Sequence, residues 1–452
     1  MKIAVARAAG ALSRRSGRGA TSLPGKLLMR MEPSAIERLA RRLPQGSVVI
    51  SATNGKTTTA AMVAAILEGG GTRLVHNRAG ANMAGGVASV LLGAARGSDG
   101  IDGDAGVFEV DEFWLDRVVP QLRPRALLLQ NLFRDQLDRY GELETIADRW
   151  AATVAATPDT TLVLNADDPL VADLGRDRAP ATVAYFGVQD DAMALPGMGH
   201  ASDSKHCRRC GAPYVYDAIY MGHLGHYHCP NGDSRRPQPE ISASEITLDG
   251  TRGAQFTLHL GGEQAVVALP LPGLYNVYNA LGAAALTRSL GAPLQQIVAG
   301  LEATQAAFGR AETVSIGDRE LAILLVKNPA GANEVLRTLA LDEGEHDVLA
   351  VLNDNTADGR DISWVWDADF ELIAQRVRHV TCSGTRAAEL ALRLKYAGVP
   401  PERLNVVPAL ERGFDAALAD GDGRLVALPT YTAMLALRQL LVARGAAEGS
   451  FV

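Results

Sequence analysis

One lysine and the hydroxyl residues that follow it carry the clearest chemistry in this chain. The stretch Val48-Val49-Ile50-Ser51-Ala52-Thr53-Asn54-Gly55-Lys56-Thr57-Thr58-Thr59 runs from apolar, β-branched residues into a short polar loop ending in Gly-Lys-Thr. Such a loop at the start of a helix cradles phosphate. Backbone N–H groups face anionic oxygens, Lys56 reaches the β- and γ-phosphates, and the Thr57 hydroxyl ligates magnesium. The periodic residues Ala60, Met62, Val63, Ile66 and Leu67 supply the helix. A chance Gly-Lys-Thr in a surface turn would need neither the strand before it nor the helix after it. Ile50 stands where a standard P-loop has its first glycine, so this is the shorter T-N-G-K-T-T-T form. A nucleoside triphosphate with its magnesium is the expected ligand of Thr53, Asn54, Gly55, Lys56, Thr57, Thr58 and Thr59.

Further candidates sit at the ends of other apolar runs. Glu109-Val110-Asp111-Glu112 follows the run from Gly106, and Asn165-Ala166-Asp167-Asp168 follows the run from Thr161. Open α/β sheets bind ligands at the carboxyl ends of their strands. Glu109 or Glu112 is therefore a candidate magnesium ligand, directly or through water, against the plainer reading of a solvated acidic turn. The polar run Asn131 to Glu142, which contains Gln136, is a loop of the same kind. Asn276 and Asn279 lie three residues apart at the start of an Ala-rich helix, hence on one face, where they read a nucleotide edge or cap the helix.

The elements that must position these residues read as α/β. Runs at Gly106 to Val110, Ala126 to Leu132, Thr161 to Asn165 and Thr182 to Val188 alternate with helical stretches, the pattern of a doubly wound parallel sheet. After residue 311, His379 to Ser383, Ala387 to Tyr396, Arg424 to Pro429 and Ala433 to Ala443 repeat it, giving a second α/β domain. A chain of 452 residues exceeds what one core usually covers. A net charge of −7 argues against a dedicated nucleic-acid binder. With no apolar run of roughly 20 residues and no signal-peptide h-region, a cytoplasmic enzyme is expected. The four cysteines fit a reducing compartment. Residues 1–46 are basic, with Arg7, Arg14, Arg15, Arg18, Lys26, Arg30, Arg38, Arg41 and Arg42, and read as a solvated helical lead-in, with peripheral contact to an anionic membrane as the alternative.

Taken in order, T-N-G-K-T-T-T, Glu109, N-A-D-D, the Asn276/Asn279 helix start and Phe308-Gly309-Arg310 resemble the Mur ligase superfamily across residues 47–310. These enzymes use ATP to activate a carboxylate as an acyl phosphate and then form an amide. The resemblance implies a central ATP-binding domain at 47–310, with Arg310 a nucleotide contact, and a C-terminal domain at 311–452. Gln136 departs from the superfamily, which often has a histidine there, and no carbamylated-lysine position is clear after Asp148.

Within the superfamily the chain is most similar to the MurT family, the synthetase subunits of lipid II isoglutaminyl synthases. Residues 1–46 are too short for a separate UDP-binding domain. Cys207-Arg208-Arg209-Cys210, followed by His223, His226, His228 and Cys229, resembles a zinc ribbon inserted at 200–237, with Gly232 where the fourth cysteine belongs. Zinc prefers four ligands in a structural site, so Cys207, Cys210 and Cys229 are joined by His228, with His226 or Asp233 as alternatives, or the metal is lost. Lys327 to Glu334 and Leu352 to Asp367 resemble the family's C-terminal domain. The resemblance implies amidation of the D-glutamate α-carboxylate of lipid II at the inner face of the membrane. The ammonia would come from the glutamine amidotransferase subunit GatD, since no cysteine here sits in a glutaminase motif. It also implies an aspartate that supports the partner's catalytic histidine, Asp361 first and Asp358 second. Two other readings remain: a free-standing Mur- or folylpolyglutamate-type ligase, and a non-catalytic P-loop regulatory module.

Overall fold

The computed structural model describes residues 22–77, 81–135, 143–199, 202–305, 310–421 and 424–447. Two sheets organise them. The first contains β1 (Ser47–Ser51), β2 (Leu74–His76), β3 (Ala105–Glu109), β4 (Ala126–Leu129), β5 (Thr161–Asn165), β6 (Val183–Val188), β7 (Ile241–Asp249), β8 (Gly253–Leu260) and β9 (Glu263–Leu269). Their spatial order is β9-β8-β7-β6-β5-β4-β1-β3-β2. From β2 to β7 every pairing is parallel, and β8 and β9 extend the sheet as antiparallel strands.

The parallel strands are apolar on both faces because each face is covered by helices. Along β1, Val48 and Ile50 face one core and Val49 the other. The first core includes α3 (Lys56–Gly69), α5 (Leu274–Ser289) and α6 (Leu294–Glu302). The second includes α1 (Leu23–Met31), α2 (Ala35–Ala40) and α4 (Ala84–Ala94). Residues 22–46 therefore correct the expectation of a solvated lead-in. Leu28, Ile36 and Leu39 are fully buried, and the Gly25 N–H donates to Ser89 Oγ at 2.8 Å. Their arginines stay outside while the apolar stripe packs on α4, which charge counting alone does not reveal.

The second sheet begins at Arg310 and contains β10 (Arg310–Ile316), β11 (Arg319–Leu324), β12 (His346–Val351), β13 (Val377–Ser383), β14 (Leu404–Val406) and β15 (Leu425–Pro429), in the order β10-β11-β15-β12-β13-β14. Only β10 pairs antiparallel within it. Helices α7 (Pro329–Leu341) and α8 (Tyr431–Ala443) start where β11 and β15 end. The two sheets thus bring the carboxyl ends of β1, β3, β11 and β15 to one cleft of ≈ 510 Å³. Among the described residues no helix is long and apolar enough to cross a membrane.

Candidate active site

The cradle is formed where β1 stops and α3 begins. Gly55 caps the helix at φ +89°, a backbone region that favours glycine, and a Cβ there would lie 2.0 Å from Asn279 Oδ1. Asn279 donates to Asn276 Oδ1 at 3.0 Å, and Asn276 donates to the Pro272 carbonyl at 2.8 Å. Both asparagines are buried, line the cleft and press α5 against the loop.

Lys56 points back into the loop. Its Nζ donates to Glu112 Oε2 at 2.8 Å, to the Thr53 carbonyl at 3.3 Å and to the Ala52 carbonyl. Burial pushes the Lys56 pKa down, but attraction by Glu112, Asp111 and Glu109 outweighs it and holds the ammonium charged. Asp111 is held above the usual carboxylate range by burial and by the neighbouring Glu112 charge. Thr57 Oγ1 donates to Glu109 Oε2 at 2.8 Å at the end of β3. Asn77 locks that strand end, with bonds of 2.8 and 2.9 Å to the Glu109 backbone. A hydroxyl and a carboxylate in contact beside a phosphate cradle fit a magnesium ion, and Thr57 and Glu109 would hold it. Of the two acidic candidates, Glu109 meets Thr57, whereas Glu112 is the counter-ion of Lys56.

The C-terminal domain closes the cleft. Lys327 Nζ donates to the Thr53 carbonyl at 3.1 Å and to Asp135 Oδ2 at 2.6 Å. Asn328 and Asn54 exchange amide bonds of 3.2 and 3.0 Å, while Asn328 Oδ1 also caps α7 through the Gly331 N–H at 2.8 Å. Glu334 on α7 lines the same cleft, and burial pushes its carboxyl up to about 7 against the opposing pull of Arg337. The cleft lining thus carries Glu109, Asp111, Glu112, Asp135 and Glu334 against Lys56 and Lys327. A polyphosphate entering so acidic a site needs added cations, which fits a magnesium-borne nucleotide.

Asp358 and Asp361 have different tasks. Asp358 is buried, and its carboxylate accepts from the Thr432 N–H at 2.7 Å and from the Thr432 hydroxyl, capping α8 from a distance. This is the turn-holding role, and it leaves Asp358 facing inward. Asp361 is exposed, its Oδ1 accepting from the Ser363 N–H at 2.8 Å, and the bonding by Ser363 holds its carboxyl below the usual range. Thr356 and Ala357 of the same loop line the cleft.

Other candidates serve the scaffold. Asp167 is fully buried against Arg236 Nε at 2.6 Å and the Tyr278 hydroxyl at 2.7 Å. Asp168 caps the helix Pro169–Asp173 and accepts the Leu132 N–H at 2.9 Å. The N-A-D-D strand end is thus architecture, not ligand. Gln136, Phe308, Gly309 and the Arg310 side chain lie outside the described residues.

In the insertion, the sulfurs of Cys207, Cys210 and Cys229 lie within 4.8 Å of one another. Thiolates on one tetrahedral zinc sit about 3.8 Å apart, from Zn–S bonds of about 2.3 Å, so the trio fits that metal. His228 lies outside this group, its Nδ1 3.5 Å from Asp217 Oδ2 on the hairpin Val215–Met221/Leu224–His228. His226 bonds the Tyr220 hydroxyl and the Val188 carbonyl. Neither imidazole falls within the cluster of the three sulfurs, a correction to the assignment of His228 as a ligand. Asp233 also lies outside that cluster but bonds Cys210: the Ala212 N–H pulls that thiol down, and Asp233, Cys229 and burial outweigh it and push it up to about 11. Burial opposes ionisation of Cys229, but the Asn231 and Asp233 N–H groups and the neighbouring thiols outweigh it and hold its pKa below the usual value.

Lys327 in the cleft and Asn328 beside it have roles that the sequence did not disclose. Asn-Pro at a helix start is a readable cap, yet nothing local shows that Asn328 meets a residue 274 positions away.

Comparison with known proteins covers both domains. The Mur ligase middle domain matches residues 50–231, and the MurT ligase C-terminal domain matches residues 325–434. Two curated relatives are named "Lipid II isoglutaminyl synthase (glutamine-hydrolyzing) subunit MurT". The one from Staphylococcus aureus (strain N315) is 35% identical over 444 residues, 97% of each chain. The one from Streptococcus pneumoniae is 33% identical over 431 residues, 95% of this chain and 94% of the relative. Among solved structures, a pseudomurein peptide ligase type C from Methanothermus fervidus matches the fold with a TM-score of 0.68 at 22% identity, covering 89% of this chain and 79% of that one. An ATP-type cradle closed by a second α/β domain, together with near full-length identity above 30%, places the chain in the MurT family of Mur-type amide-forming ligases of peptidoglycan synthesis.

Proposed function

We propose that this chain is the synthetase subunit that amidates the D-glutamate α-carboxylate of the lipid II stem peptide to D-isoglutamine at the inner face of the membrane. The observation that carries this reading is the joining of Lys56 to Glu112 and Thr57 to Glu109 at a cleft shared with the C-terminal domain. The names of its relatives supply the substrate class. The acceptor carboxylate attacks the γ-phosphorus of ATP, forming a C–O–P bond as the bond to the β-phosphate oxygen breaks and ADP leaves. Ammonia then attacks the acyl carbon, the C–O bond breaks, and phosphate departs with one ammonia proton. Lys56 and Arg310 neutralise phosphate charge, and Thr57 and Glu109 would hold a magnesium ion that supplies further positive charge there. Thr53 to Thr59 with Asn276 and Asn279 shape the nucleotide seat.

In this reading ammonia comes from the glutaminase GatD, bound as a heterodimer, with Asp361 turned outward toward its histidine. The ATP-binding unit is residues 47–310 and the C-terminal unit 311–452. Zinc on Cys207, Cys210 and Cys229 has a structural role. The test is reconstitution with GatD, lipid II, glutamine, ATP and Mg2+, read by phosphate release and mass spectrometry of the lipid. Wild type is expected to give the amide, and Lys56→Ala to lose about 10²- to 10³-fold in rate, the scale of one charge-stabilising donor. Unmodified lipid with the wild-type complex would overturn the reading.

A further inference from the structure

Two ammonium groups from different domains share one acceptor. Lys56 Nζ lies 3.3 Å and Lys327 Nζ 3.1 Å from the carbonyl oxygen of Thr53, so the nitrogens are no farther apart than those two bonds end to end, 6.4 Å. Like charges this close in a cleft of low polarity repel unless anions compensate them. Each has such an anion: Glu112 for Lys56 and Asp135 for Lys327, at 2.8 and 2.6 Å. The cations are held unequally. The Lys56 side chain is 9% exposed, whereas that of Lys327 retains 27% exposure, although both anions are buried. The other carboxylate oxygen of Asp135 is buried without a hydrogen-bond partner among the described residues. Lys327 is thus parked on a carboxylate that lacks a full set of donors, one carbonyl away from the phosphate-binding lysine.

We propose that Lys327 is a catalytic cation delivered by the C-terminal domain: it leaves Asp135 for the transferred phosphoryl group and neutralises it together with Lys56. A long, flexible lysine with rotatable donors suits such an exchange of anions. The residue keeps its charge, and no bond other than those of phosphoryl transfer changes. This rests on the amidation reading above. The rival role is a mere clasp, shared with the Asn54–Asn328 pair that joins the same two domains.

The experiment compares wild type, Lys327→Met, Lys327→Arg and Asn328→Ala in the complex, with ammonium chloride as nitrogen donor so that glutamine hydrolysis plays no part. ATP binding, melting temperature and phosphate release with lipid II are measured, and acyl phosphate is trapped with hydroxylamine. Lys327→Met should lower kcat and trapped acyl phosphate together by 10²-fold or more while ATP affinity stays within fivefold and the melting temperature holds. Lys327→Arg should recover at least tenfold of that loss, and Asn328→Ala should stay within tenfold of wild type. A Lys327→Met rate within threefold of wild type overturns the proposal. So does parallel loss of rate, ATP affinity and melting temperature in both Lys327→Met and Asn328→Ala, which marks a clasp. Absence of amide with the wild type would instead refute the amidation reading.

Discussion

At the scale of single residues, the cleft keeps carboxylates in contrasting states. Glu334 stays protonated in the folded protein up to about pH 7 and ionises near 4.5 when unfolded. Its folded pKa is raised, so its contribution to stability is full below pH 4.5 and is lost as pH rises to about 7. That span corresponds to about 3 kcal/mol. Glu334→Gln should therefore gain stability relative to wild type by roughly that amount between pH 4.5 and 7, read from urea midpoints, and a constant difference would contradict the assignment. Asp361 is held ionised in the same loop that Asp358 anchors. If it orients the partner's histidine, Asp361→Asn should cut glutamine hydrolysis by the complex on the order of 10²-fold or more. Amidation driven by ammonium chloride should continue, and normal glutamine turnover would exclude Asp361. The sequence could rank these two aspartates but not explain them, because burial of Asp358 depends on Thr432, 74 positions away.

At the scale of elements, what could be read locally was the cradle and the strands with continuous apolar runs. Thr161 to Asn165 and Ala387 to Tyr396 fall where expected, since burial on both sheet faces or one amphipathic face leaves a strong pattern. The antiparallel edge β7-β8-β9 escaped notice, although Gly261 and Gly262, both at positive φ, make the two-residue turn that signals a hairpin. The ribbon was legible as cysteine spacing, but its fourth ligand was not, because the partners that hold His226 and His228 (Tyr220, Val188 and Asp217) are set by the folded hairpin and not by spacing. Zinc held by three thiolates and a carboxylate should be present at one per chain in protein purified without added metal and should fall on Asp233→Ala. Metal analysis of the two proteins decides this, and a wild-type content far below one means the ribbon folds without zinc.

At the scale of the whole molecule, the active site is a property of two domains meeting. The contacts that close it, Lys327 to Thr53 and Asn328 to Asn54, span 274 residues, so no local pattern encodes them. Ligand binding should accordingly stabilise the folded chain. At ATP concentrations about 100 times the dissociation constant the gain is about 2.7 kcal/mol. Because Glu109, Asp111, Glu112 and Asp135 outnumber the two lysines along the cleft, EDTA should abolish most of the resulting rise in melting temperature. A shift of equal size without divalent metal would contradict the charge balance described for the site. The loop after β12 adds a constraint of a different kind. Ala357 lines the cleft, Asp358 is bolted to α8, and four residues after Ala357 the chain reaches the exposed Asp361. If Asp361 meets the partner subunit as proposed, a lineage that widens this wall to admit a bulkier acceptor also shifts that aspartate, so changes of substrate here should be inherited together with matching changes in the partner. An inhibitor wedged beside Ala357 would exploit the same linkage, meeting resistance mutations in two genes instead of one.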